Sequence, residues 1–168
     1  MKKLFICISM MVSLVATSQT PYIISHCIDR MTDKEYFLCL EKLVCANKEK
    51  TKGFLMTPMF KSGITPDGIR IKSVGLGSCN EDDELIILFD DNTKVVAKSF
   101  YGFNCDGNSA FDFTEEDYKM MSTKNINSIR LTNKRSHMYL TYTLRPTEIN
   151  FLIRVYSHNK IEEINCSN

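Results

Sequence analysis

The side chains with the widest chemical range in this 168-residue chain are seven cysteines and three histidines, His26, His137 and His158. A thiol beside an imidazole is a minimal nucleophilic unit, and Cys105 with His137 is one such pairing. An oxidised cysteine cannot attack, however, and the cysteines have a structural explanation developed below. Ser–His–Asp chemistry lacks its G-x-S-x-G elbow. Gly75-Leu-Gly77 has two glycines of a phosphate cradle without the third, the Lys-Ser/Thr or a following helix, so it reads as a turn or bulge. Asp106, Asn108 and Asp112 alternate like calcium ligands, but the EF-hand spacing and its terminal glutamate are missing, and Asx turns account for the first two. Arg130, Lys134, Arg135 and His137 form a basic cluster beside Tyr139. It fits a solvated hairpin tip or a contact to an anion or glycan, and Tyr139 fits a platform or ordinary cross-strand packing. No catalytic, cofactor-binding or metal-ligating residue is assigned, and no cofactor is expected.

The cysteines point to the elements that would hold such groups. Residues 84–90 and 93–101 are apolar runs around Asp91-Asn92, a hairpin pattern. If pairing continues outward, residues whose numbers sum to about 183–185 face each other, and Cys79 with Cys105 sums to 184. A disulfide there would lock the open end of the hairpin; two buried thiols on adjacent strands are the alternative. Cys39 and Cys45 cannot bond inside one regular element, because six residues span about 20 Å of strand or about 9 Å of helix, against a required Cα separation within about 7 Å. The partners of Cys27, Cys39, Cys45 and Cys166 stay open, and no C-x-x-C or clustered Cys/His spacing suggests metal.

Location follows from the first residues. Met1-Lys2-Lys3, an apolar run over 4–15 and Ala16-Thr17-Ser18 make the three-part pattern of a secretory signal, expected over residues 1–18. The run is too short for a spanning helix, which needs about 20 apolar residues, and no later segment is longer, so no transmembrane segment is expected in the mature chain. Residues 19–168 are then expected to form a single β-rich domain, exported to the periplasm or secreted. Cys7 leaves with the signal, and an even number of cysteines in an exported chain suggests disulfides. With 43% hydrophobic residues a core is affordable. Without Lys2 and Lys3 the basic residues number 19 against 20 acidic, so no general nucleic-acid or anionic-membrane partner is implied. Lys48-Glu49-Lys50-Thr51-Lys52 and Glu81-Asp82-Asp83-Glu84 read as solvated loops rather than docking patches.

The expected fold is mainly β, a sandwich-like antiparallel sheet with one or two short helices. Residues 21–30 read as a lead-in. Thr32-x-x-Glu35 resembles a helical capping box, but residues 33–46 fit strand and helix periods about equally, with a lean to strand. Residues 54–60 read as a strand with Pro58 at an edge or bulge, Thr65-Pro66-Asp67-Gly68 as a turn, and 69–74 as a strand. Ser109 begins a short strand, Thr114 caps a helix with Asp117 in its first turn, and 126–132 and 138–144 are strands around Asn133-Lys-Arg-Ser136. Pro146 fits the first turn of a closing helix with Ile149, Leu152, Ile153 and Tyr156 facing the core. The tail from Lys160 reads as loose.

Three stretches, Gly75-Leu-Gly-Ser-Cys-Asn-Glu-Asp-Asp-Glu-Leu-Ile-Ile-Leu-Phe89, Phe103-Asn-Cys-Asp-Gly-Asn108 and Ile129-Arg-Leu-Thr-Asn-Lys-Arg-Ser136, with a weaker one over 44–54, resemble a group of small exported proteins of Bacteroidetes. The resemblance implies a Gram-negative envelope or secreted location and a β-rich domain, and carries over no catalytic residue. The last stretch looks like a Thr-Asn-Gly-Arg-Ser turn in which Lys134 replaces the glycine, which puts its left-handed residue in question. The expected function is an exported, non-enzymatic module that binds an envelope or extracellular protein or glycan. The alternatives are a small secreted hydrolase or thiol-dependent enzyme, and an inhibitor or immunity-type protein presenting residues 62–68 as a rigid loop.

Overall fold

Alternating apolar and polar residues put one face of each strand inward, and the chain answers that pattern with eleven strands and two helices among its described residues. The computed structural model describes residues 22–29, 34–39, 42–61, 65–77, 79–100, 104–157 and 159–163. The expected signal over 1–18 lies outside them, as does Cys166. In chain order the elements are β1 (Tyr22–Asp29), β2 (Lys34–Cys39), β3 (Leu43–Ala46), β4 (Gly53–Lys61), β5 (Thr65–Val74), β6 (Glu84–Phe89) and β7 (Lys94–Lys98). Then follow β8 (Asn108–Phe111), α1 (Glu115–Thr123), β9 (Ile126–Asn133), β10 (Met138–Thr143), α2 (Phe151–Ser157) and β11 (Asn159–Glu163).

Two four-stranded antiparallel sheets, ordered β3-β4-β5-β8 and β10-β9-β6-β7, carry the fold. A third sheet, β11-β1-β2, is mixed, with β1 parallel to β11. The two larger sheets meet where Ser99, just past β7, bridges Phe111 of β8. Their inward residues, among them Phe54, Met56, Ile71, Leu85, Ile87 and Leu131, belong to one hydrophobic cluster that also takes in Ile24 of β1 and Leu152 of α2. The mainly β fold with two short helices is as the alternation implied.

Several local expectations hold in detail. Residues 34–39 and 43–46 are strands. The capping box belongs instead to α1, where Thr114 Oγ1 accepts from Asp117 N and the Asp117 carboxylate accepts from Thr114 N. Pro58 sits at an irregularity: Pro58 faces Ile69 but Phe60 faces Pro66, so Asp67 and Gly68 oppose Met59 alone. That is a bulge, and Gly68 takes φ +105° there. The expected turn over 65–68 is therefore part of β5, and Lys61 already pairs with Thr65.

Other expectations are corrected. Of the lead-in over 21–30, residues 22–29 are strand β1, and of the tail from Lys160, residues 160–163 belong to strand β11 while 164–168 lie outside the described residues; each strand supplies the other's parallel partner. Helix α2 starts at Phe151, because Glu148 N donates to Arg145 O and Phe151 N to Glu148 O in successive turns before it. Its buried residues are Phe151, Leu152 and Val155; of the expected stripe Leu152 is buried, and Ile149 and Tyr156 pack partly against the core. The β6–β7 register sums to 182, not 184. The cause is a three-residue loop over 90–92, in which Asn92 N donates to Phe89 O at 3.0 Å and Asn92 itself is left-handed, φ 64°.

Candidate binding surface

Several of the sequence-predicted groups gather around the Cys79–Cys105 bond, where they hold the chain together. Beyond Ser99 the pairing number rises, so that Asn80 bridges Asn104, and Cys79 and Cys105 form the expected disulfide. Around it runs a polar network. Asn133 Nδ2 donates to Cys79 O at 3.0 Å and Asn80 Oδ1 at 2.9 Å, Asn80 Nδ2 donates to Asn108 O at 2.8 Å, and Ser136 Oγ donates to Leu76 O at 2.6 Å. Asp83, expected in a solvated loop, is 1% exposed and accepts from Ser109 Oγ at 2.9 Å. Burial raises its pKa, against the hydrogen bonds from Ser109 and the backbone of Lys134 and Glu81. Buried polar groups so satisfied rigidify a region.

The candidate chemistry dissolves into that scaffold. Cys105 is bonded to Cys79, so it makes no nucleophilic pair with His137. His137, φ 54°, is the left-handed residue of the β9–β10 turn in place of Lys134. Asp106 and Asp112 accept from the backbone N–H of Asn108 and Phe113 in local turns. The basic cluster is dispersed: Lys134 pairs with Glu84 at 3.4 Å, Arg135 with Glu81 at 3.2 Å, and Arg130 lies over the Tyr139 ring at 5.4 Å.

Strand β3 presents a different surface. It is the edge of its sheet. Asn47 N donates to Lys52 O at 2.9 Å, one step beyond the Ala46–Gly53 pair. Bonded and non-bonded pairs alternate in an antiparallel ladder, so the N–H and C=O groups of Val44 and Ala46 point away from β4, along the outer edge. Outward side chains here are apolar. Val44, Leu55 and Lys72 align in one cross-strand row and Ala46, Gly53 and Val74 in the next. Val44 is 60% exposed and Val74 62%. Gly53 leaves a dent of about 300 Å³ between them. A Cβ there would come within 2.9 Å of the Cys45 carbonyl, so glycine is what lets β3 lie this close.

Three lysines, Lys50, Lys52 and Lys72, line the dent. The β3–β4 turn places the first two: Asn47 Oδ1 accepts from Lys52 N at 2.9 Å, Asn47 Nδ2 donates to Thr51 Oγ1 at 3.0 Å, and Lys50 is left-handed, φ 56°. Across the edge, a second cleft of about 300 Å³ opens toward α2, with Lys42, Val44, Arg145 and Arg154 around it. Glu148 in its wall is committed internally. It accepts from Tyr142 OH and Arg145 N, both at 2.9 Å, and from the Arg145 guanidinium. Burial would raise Glu148, but the bonds from Arg145 and Tyr142 outweigh it and hold its pKa low. Cys45, a free buried thiol, is pushed well up by burial and then by the charge of Glu148, which makes it a poor nucleophile.

The surface thus offers main-chain donors and acceptors, an apolar dent and positive charge. Sequence reading missed it because residues 33–46 fit strand and helix periods about equally, which left the facing of Val44 open, and Lys48 to Lys52 read as a solvated loop; apolar residues on both faces of the short β3 were the available signal. Compared with known proteins, the chain matches no family model, no curated protein and no solved structure.

Proposed function

We propose that the chain is an exported, non-enzymatic binding module for an envelope or extracellular protein or glycan, and that it binds through the lysine-rimmed face beside β3. One observation carries the reading: Val44 and Val74, each more than half exposed, flank a dent with lysines around it. Apolar surface with a polar rim is how interaction sites look. Export is supported by the signal-like pattern of residues 1–18, by the likeness to exported proteins of Bacteroidetes, and by a Cys79–Cys105 bond of the kind that persists in oxidising compartments. Among the described residues, no helix is long and apolar enough to cross a membrane. Of the loop named for the inhibitor alternative, residues 62–64 lie outside the described residues and Thr65 to Gly68 lie in β5.

The test is an isotope-labelled chain titrated with envelope glycans and with extended peptides. Amide signals of Val44, Ala46, Leu55 and Val74 should move, and Val44→Lys should weaken whatever moves them. Shifts confined to another face, or a V44K chain that binds as well as the parent, would overturn the reading.

A further inference from the structure

We infer that the occupant of this face is an acidic, extended segment of a partner protein, which adds as a strand to the free edge of β3. The inference rests on the reading of that face as the binding surface. Its first support is the backbone: Val44 and Ala46 turn their N–H and C=O groups outward, and β3 has no neighbour on that side among the described residues. Two residues offer about four main-chain bonds, a short but usable template for strand addition.

Charge selects the partner. Successive side chains of an added strand point to opposite faces. One set would lie over the Val44–Leu55 dent, among Lys50, Lys52 and Lys72; the other would enter the cleft where Lys42 and the Arg145 and Arg154 side chains stand. Lys42, Lys50, Lys52 and Lys72 are exposed and, among the described residues, none has a carboxylate within 4.0 Å; Lys72 feels only the more distant charge of Asp106. The only carboxylate in either cleft wall, Glu148, is already held by Arg145 and Tyr142. Both faces of the incoming strand therefore meet cations, and carboxylates beside an apolar anchor complement them. A second copy of this chain is a poor occupant, since edge-to-edge pairing would bring the two lysine sets together.

Three short peptides test this: one repeating Glu-Glu-Val-Val, so that each face carries carboxylates and an apolar anchor, one repeating Lys-Lys-Val-Val, and the acidic one N-methylated on the edge that would bond. The acidic peptide is expected to bind, to slow hydrogen exchange at Val44 or Ala46, and to weaken as salt rises. N-methylation, or the triple change Lys50→Glu, Lys52→Glu, Lys72→Glu, should weaken it at least about tenfold. Equal binding of the N-methylated peptide would overturn strand addition, and equal binding of the basic peptide would overturn the role of the lysines. A glycan that moves the same amides when the acidic peptide does not would overturn the inference and leave the binding face standing. If no ligand touches the face, both fall. Concentration-dependent dimers with protected Val44 or Ala46 would name a second copy as the occupant and overturn the acidic partner.

Discussion

Around Cys79 and Cys105, the side chains of Asn80, Asp83, Asn104 and Asn133 bind groups from segments 76–83, 104–109 and 133–136, and nearby cations have counter-ions. Around β3, among the described residues, four lysines face solvent with no carboxylate within 4.0 Å, the edge amides have no strand beside them, and valines stand where polar residues would suit water better. The same residue types close one region and leave the other open. The first region uses polar groups to fix the chain; the second keeps them available.

The comparison breaks most directly at the disulfide. Replacing both Cys79 and Cys105 by serine should destabilise the chain by about 2–4 kcal/mol in denaturant titration; a negligible change would mean that the asparagine network holds this end alone. Next, Asn133→Ala removes donors to Cys79 O and Asn80 Oδ1 and the acceptor of Ser136 N, and should cost about 1–3 kcal/mol. A smaller, pH-dependent effect comes from Asp83. Its pKa is raised on folding, so the native state holds the proton more tightly, and stability should fall as pH rises from its ordinary value of 3.8 through its folded value. Asp91 has the opposite sign: the Lys124 and Thr93 hydrogen bonds lower it to about 2, so its contribution is present above 3.8 and lost as pH falls toward about 2. Asp83→Asn should flatten only the first of these slopes. The smallest effect belongs to the open region, where Val44→Lys should change stability by no more than about 0.5 kcal/mol while it weakens binding.

Much of the closed region was legible because its signals are local. Asp91 and Asn92 announce a hairpin, Thr114 and Asp117 a helix start, and Asn133 to Ser136 a reversal. Even there, the Cys79–Cys105 pairing was reached through a register two residues away from the real one near the turn; the left-handed Asn92 sets the ladder to 182, and the count recovers only beyond Ser99. Asp83 was misread since nothing in Glu81-Asp82-Asp83-Glu84 reveals that Ser109 waits inside for one of the four. The open region was illegible for a related reason: whether Val44 or Cys45 faces inward depends on what packs against β3. Likewise β11 looked unstructured because its one partner, β1, lies at the far end of the sequence, and β1 because one of its two partners does.

That last pairing orders events in time. Tyr22 sits opposite Asn159, so β1 lacks its parallel neighbour until residues 159–163 have been made. Contacts of such long sequence separation form slowly, and a polypeptide delivered N-terminus first would hold its opening strand half-paired throughout. The three-stranded sheet is therefore completed only when β11 reaches β1, after the other ten described strands have been synthesised.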